Sequence, residues 1–350
     1  MAKINWGVEY DRIAGLRDTG ASTREIAEYY GVSTRTIQRG LKEKGPGSDS
    51  AVQLPDYQWP ERLDWREWFG EWEKILEMHK KQDPYAQQFT IDLGERDRPF
   101  ALASASDLHL GGGFTSHSAL REHMEYIIET PDLHLGITGD SIEGFLPGVK
   151  PAETIEQQPS NIKSQLWALE SLVDELVDAD TLRWMTWGDH DGIWFEKTIG
   201  VGLVKEMVKS KVPYFVGRGL IRLKINDQEY FLLVNHAERS RSQWSNTHGA
   251  RKAYEAVFPA DVVITGHTHK PEFRMFTHYQ ELRDAGINLG GKAWLVQNGT
   301  FKDGPDPYTI RSWTRGVIGV PTIVFAHDRH DVDVFQTPRK AMQYIEGGSH

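Results

Sequence analysis

Five short apolar runs in this chain each deliver an aspartate or a histidine at the carboxyl end: PFALASASDLHL, LHLGITGD, TLRWMTWGD, YFLLVNH and ADVVITGH. Runs of this length, rich in branched aliphatic and aromatic residues and closed by glycine or polar clusters, read as buried strands. Helical periodicity near 116–129, 161–178 and 195–210 separates the first four. Strands alternating with helices leave few ways to fold. They imply a layered α/β core whose active residues lie on the loops past the strand ends.

Those ends supply Asp107-Leu108-His109, Gly139-Asp140, Gly188-Asp189-His190-Asp191, His236 and Gly266-His267-Thr268-His269. The stretch RWMTWGDHDGIW, 183–194, is the densest, with three adjacent side chains that bind metals or move protons between two glycines. Glycine permits the tight turns and close backbone approach such loops need. The chain has no cysteine. Disulfides, thiolate metal sites and a cysteine nucleophile are therefore excluded, and a metal must be held by imidazole and carboxylate. That donor set suits Mn, Fe, Zn, Co or Ni without choosing among them.

In this order the five blocks resemble the signature of the calcineurin-like metallophosphoesterases, D-x-H, G-D, G-N-H-D/E, H and G-H-x-H, over roughly residues 100–330. The resemblance implies two packed β-sheets flanked by helices. It implies that Asp107, His109 and His269 ligate a first divalent ion and that Asp140 bridges to a second. It likewise implies that Asp189, His236 and His267 ligate that second ion. His190 then serves as acid or charge stabiliser at the scissile phosphate, with Asp191 orienting its imidazole. Two transition-metal ions are implied, manganese foremost, with Fe, Zn, Ni or Co as the other candidates. Ions about 3.5–4 Å apart can share a hydroxide nucleophile and clamp an in-line displacement at phosphorus. One position departs from the family: Asp189 stands where the signature has Asn. An amide donor is lost and one negative charge is added, which weakens attraction for a dianionic monoester more than for a monoanionic diester.

Residues 1–45 read as a small helical unit. Ser22 and Glu25 form a capping box for one helix, Gly31 ends it, and Ser33 caps a second that carries Ile37 and Leu41. This layout resembles the helix-turn-helix of resolvases and transcription regulators. The second helix bears Thr34, Arg35, Gln38, Arg39 and Lys42, residue types that reach base edges and phosphates. The unit holds eight Lys and Arg against six Asp and Glu, while the whole chain is at −10, so any DNA contact is local to it.

Residues 46–56 have linker composition, and 57–96 hold a Trp-rich amphipathic helix and a connector. Packing of that helix onto the next domain is expected. The catalytic domain is expected over 97–337, and 338–350 as a tail ending in a tag remnant, Gly-Gly-Ser-His. The segment AHDRHDVDVF reads as a hairpin turn rather than a metal site. Arg239 and Arg241, just after His236, are candidates for phosphate contact. No apolar run approaches the roughly 18 residues of a membrane span, and the first residues lack the apolar segment of a signal peptide. A cytoplasmic protein without membrane contact is expected. The function expected is a binuclear metal-dependent phosphodiesterase acting on a phosphate ester, as a nuclease if residues 1–45 bring DNA to it. The alternatives are a phosphomonoesterase on a small substrate and a weakly catalytic DNA-binding regulator with a structural metal site.

Overall fold

A computed structural model describes residues 4–43, 64–82, 88–145, 158–237, 245–277, 292–304 and 316–347. The expected linker, Arg239 and Arg241 lie outside them. The chain divides into two compact units, Met1–Met78 and His79–His350.

The first unit holds α1 (Trp6–Asp18), α2 (Thr23–Tyr29), α3 (Thr34–Glu43) and most of α4 (Trp65–Gln82). Ile13, Ile26, Ala27 and Ile37 form its buried core. The capping box starts α2 as expected: Ser22 Oγ accepts the Glu25 N–H, and Glu25 Oε2 accepts the Ser22 N–H at 2.8 Å. Gly31 reverses the chain at φ +60°, and Ser33 Oγ accepts the Thr36 N–H to start α3. Burial of Ile37 turns Thr34, Arg35, Gln38, Arg39 and Lys42 outward, and none of the five is buried. Along α4, Trp65, Trp68, Phe69, Trp72 and Leu76 are about half exposed, and Phe69 meets the rings of both Trp65 and Trp72.

The second unit contains two six-stranded sheets among its described residues. Its strands are β1 (Gln88–Asp92), β2 (Phe100–Ala105), β3 (Leu133–Thr138), β4 (Leu182–Thr186), β5 (Tyr214–Phe215), β6 (Gly219–Ile225), β7 (Gln228–Asn235), β8 (Val262–Thr265), β9 (Glu272–Thr277), β10 (Lys292–Gln297), β11 (Thr322–Phe325) and β12 (Val332–Phe335). One sheet runs β12-β11-β2-β3-β4-β5 and the other β1-β6-β7-β8-β10-β9. All five expected strands are present as β2, β3, β4, β7 and β8. The pairs β2/β3, β3/β4 and β7/β8 are parallel, so their carboxyl ends emerge on one edge of each sheet.

Alternation along each strand builds the layers. Phe100, Leu102, Trp184, Val234 and Ile264 fill the space between the sheets. Ala101, Ala103, Ile137 and Met185 face outward under α5 (His117–Glu129) and α6 (Ile162–Asp178), which contribute Leu120, Met124, Leu169 and Val173. On the second sheet, Leu233, Val263 and Leu295 pack under Ala250, Ala253 and Tyr254, whose helix is the third flanking one. This is the expected arrangement of two packed sheets with flanking helices.

Two expectations of secondary structure are corrected. The helix expected over 195–210 is two, α7 (Trp194–Ile199) and α8 (Leu203–Val208), because Gly200 adopts φ +74° and ends the first. The helix on the second sheet follows as α9 (His248–Ala256). The expected tail is helical over α10 (Pro338–Glu346), where Thr337 caps the N-terminus and Ala341 and Met342 are buried. Strands β11 and β12 pair antiparallel around Asp328 to His330, the hairpin the sequence suggested. No described helix is long and apolar enough to cross a membrane.

Candidate metal centre

Eight non-glycine described residues have positive φ, and five of them are Asp107, His109, Asp140, His267 and His269. A left-handed backbone at each costs on the order of 1–3 kcal/mol and persists only where the surroundings enforce it. Here the loops enforce one another. Asp107 N–H donates to the Gly139 carbonyl at 3.0 Å, His109 N–H to the Asp140 carbonyl at 3.0 Å, and Gly266 N–H to the His236 carbonyl at 2.9 Å. Close approach explains the glycines. A Cβ on Gly188 would lie 2.1 Å from Asp140 Oδ1, and one on Gly139 would lie 2.4 Å from His236 Nδ1.

The side chains converge. Asp107, His109 and His269 offer ligand atoms within 4.8 Å of one another, and so do Asp140, His236 and His267. His269 Nε2 lies 3.0 Å from Asp107 Oδ1, and His236 Nε2 lies 3.1 Å from Asp140 Oδ2. Yet Asp107 Oδ1 and His236 Nε2, both buried, make no hydrogen bond among the described residues. Native proteins rarely leave buried donors and acceptors so placed. Atoms that approach without hydrogen-bond geometry are aimed at a point between them, and donors of this kind fit a divalent cation. The opposite faces of the ligands are fixed: His236 Nδ1 donates to the Thr138 carbonyl at 2.9 Å, and Asp107 Oδ2 accepts from the His267 N–H at 2.9 Å and from Ser106 Oγ.

The electrostatics express the same demand. Burial opposes charge on His236, but the carboxylates of Asp140 and Asp107 hold its proton affinity well above the ordinary histidine range. Burial likewise opposes ionisation of Asp140, and His236 overrides it, holding that carboxyl well below its usual range.

Two further groups were not foreseen. Glu143 is buried with Oε2 at 3.0 Å from His109 Nδ1 and Oε1 accepting from Lys302 Nζ at 2.7 Å. Lys302 is itself buried, on the loop after β10, where Thr300 Oγ1 also donates to the Asp107 carbonyl at 2.9 Å. The contact with His109 lacks hydrogen-bond geometry, and His109 Nδ1 and Glu143 Oε2 are both buried without a hydrogen bond among the described residues, so the carboxylate acts on the ring by its charge. Burial raises the Glu143 carboxyl, but His109 and Lys302 more than offset it and hold it low. The faint sequence signal was Glu143 itself, a carboxylate three residues past Asp140 in the same loop. Lys302 had none.

The loop that is densest in the sequence is arranged otherwise than expected. Asp189 to Ile193 form one π-helical turn, a feature that recurs at functional sites. Asp189 reaches the centre only through His267 Nδ1, 3.5 Å away, and belongs to neither cluster named above. His190 Nδ1 lies 2.5 Å from the Glu143 carbonyl, and its ring groups with His109 and Asp140 as a third set of possible ligands. Burial pushes its imidazole down to about 3, so it is neutral near pH 7. The expectation that Asp191 orients this ring is corrected. Asp191 accepts instead from the Ser141 N–H at 2.7 Å and the Gly188 N–H at 2.6 Å, tying two of the converging loops together. Adjacent side chains on a helical turn diverge, so Asp191 cannot face its neighbour's ring. Burial, with the Asp140 charge, pushes its carboxyl up to about 6.

No protein-family profile and no curated protein matches this sequence. Among solved structures, the chain is similar over 68% of its length to the calcineurin-like phosphoesterase YfkN from Bacillus subtilis, at 10% identity, 91% coverage of that chain and a TM-score of 0.34. It is also similar over 68% of its length to Vps29 from Chaetomium thermophilum, at 9% identity, 100% coverage of that chain and a TM-score of 0.33. A third, TT1561 of Thermus thermophilus, has 8% identity, 68% and 99% coverage and a TM-score of 0.31.

Proposed function

We propose that this chain is a binuclear metal-dependent phosphoesterase acting on phosphodiesters. One observation supports the reading: donor atoms from loops far apart in sequence, buried Asp107 Oδ1 and His236 Nε2 without a hydrogen bond among them, converge in two clusters that a third group, His109, Asp140 and His190, links. The order of the five blocks along the chain, which resembles the calcineurin-like signature, supports the same conclusion. Asp107, His109 and His269 would hold one ion and Asp140, His236 and His267 the other, with Asp189 beside His267. When bound, the ions supply Lewis-acid charge at phosphorus and activate the attacking water.

The chain's own residues do the rest. The Thr138 carbonyl orients His236 so that it presents Nε2 inward, and the Glu143 carboxylate places a negative charge beside Nδ1 of His109. The Glu143 carbonyl accepts a hydrogen bond from Nδ1 of the neutral His190, so its bare Nε2 would take up the proton that the attacking water gives up and pass that proton to the leaving oxygen. Asp191 fixes the loops of Asp140 and Asp189 relative to each other. On the first unit, Thr34, Arg35, Gln38, Arg39 and Lys42 present polar and cationic groups along α3. We assign them to duplex DNA, which makes the substrate a nucleic-acid diester.

Replacing Asp140 with Ala is the test. It should abolish metal binding and hydrolysis of a generic diester while circular dichroism stays unchanged, and two ions retained by elemental analysis would overturn the assignment. Deleting residues 1–45 should remove salt-dependent duplex binding but leave small-diester turnover intact.

A further inference from the structure

Helix α4 gathers its large apolar side chains on one stripe. Trp65, Trp68, Phe69, Trp72 and Leu76 recur at helical spacings, and they are 55%, 47%, 51%, 52% and 57% exposed. Their rings meet one another: Trp65 meets Phe69 at 5.3 Å, Phe69 meets Trp72 at 5.6 Å and Trp68 meets Trp72 at 6.1 Å. The Arg66 guanidinium lies 4.1 Å from the centre of the Trp65 ring. These contacts run along the helix's own surface and leave about half of each side chain to water. A large aromatic side chain carries roughly 150–250 Å², so the stripe exposes on the order of 500 Å² of apolar area. Apolar patches of that size mark interaction sites.

The charges of α4 are divided along its length. Its first half, Trp65–Glu73, holds three Glu against one Arg, and its second half, Lys74–Gln82, holds three Lys against one Glu. A second α4 laid antiparallel sets each acidic half against a basic half and opposes the two helix dipoles. Laid parallel, it sets like charge on like.

We propose that α4 is a self-association surface, on which the α4 of a second copy of this chain docks antiparallel. The contact is isologous, with the same stripe on both sides, so it closes about 1,000 Å² in total, the lower bound for a specific interface. Pairing at that bound is weak, with a Kd on the order of micromolar. It makes no use of the metal centre, so its failure would leave that reading untouched.

Sedimentation velocity of the full chain, from about 1 to 200 µM, brackets such a Kd. The average mass should climb from the 39.9 kDa of one chain toward twice that. Trp68→Glu with Trp72→Glu, at exposed positions, should stay monomeric throughout with circular dichroism unchanged. Lys80→Glu with Lys81→Glu should weaken pairing about tenfold, and adding Glu67→Lys and Glu71→Lys should restore it, because the two ends are then exchanged together. An unaltered chain that stays monomeric at the highest concentration would overturn the docking surface, and so would a dimer that survives the Trp68 and Trp72 changes. Failure of the second exchange to restore pairing would overturn the antiparallel arrangement.

Discussion

Removing the Glu143 carboxylate should damage the fold and the metal centre by separate routes that one rescue can distinguish. Glu143 and Lys302 are 3% and 6% exposed, with Nζ 2.7 Å from Oε1. Glu143→Ala leaves a buried ammonium without its carboxylate, which costs about 3–5 kcal/mol. It also strips His109 Nδ1 of the carboxylate 3.0 Å behind it. Loss of such a supporting group lowers metal affinity roughly 10–100-fold. Adding Lys302→Met, similar in length but uncharged, should return about 2–3 kcal/mol, because the stranded charge is gone. It should not restore metal affinity, since nothing replaces the carboxylate at His109. Urea unfolding of the two single variants and the double closes the cycle, and manganese titration measures the second route. A loss below about 1 kcal/mol in Glu143→Ala, or a double variant no more stable than it, would refute the assignment of a stranded charge.

Gly188→Ala should abolish metal binding, because the new Cβ would sit 2.1 Å from Asp140 Oδ1 and 2.2 Å from its backbone nitrogen; elemental analysis of the purified variant checks it. His134 tests the pH dependence of the fold. Burial and the Arg183 guanidinium push its imidazole from 6.5 down to about 4, so only the unfolded chain takes up the proton in that window. Stability should therefore fall as pH drops from about 6.5 toward 4, with His134 responsible for about 1.5–2 kcal/mol of the loss between pH 7 and pH 5. His134→Gln should lose correspondingly less over the same interval in urea titrations, and an unchanged loss would exclude this group. Asp189→Asn should raise kcat/KM for a phosphomonoester more than for a diester, because one negative charge beside His267 is removed. Measuring both at matched metal content decides it.

The five site loops were legible in the sequence because their signals are local. A strand of the β3 or β8 kind announces itself by apolar residues in a row, and the Asp or His that follows occupies the loop by chain connectivity alone. The capping box of α2 is equally local, since Ser22 and Glu25 are three residues apart. The α10 helix was missed because its nine residues are short and mostly polar, and it is held by burial of Ala341 and Met342 against strands read separately. The pairing of Glu143 with Lys302 spans 159 residues and exists only because β3 and β10 end where the two packed sheets bring their loops together. Sheet order and register decide which side chains meet, and neither is written in the periodicity of any one segment. The same holds for Asp191. Its composition marked it as site chemistry, but the turn of the backbone aimed its carboxylate at two N–H groups instead of the ring beside it. Residue type and spacing along the chain thus determined which groups are brought to this edge of the fold, and the packing of two sheets decided which atom of each faces another side chain and which faces the backbone.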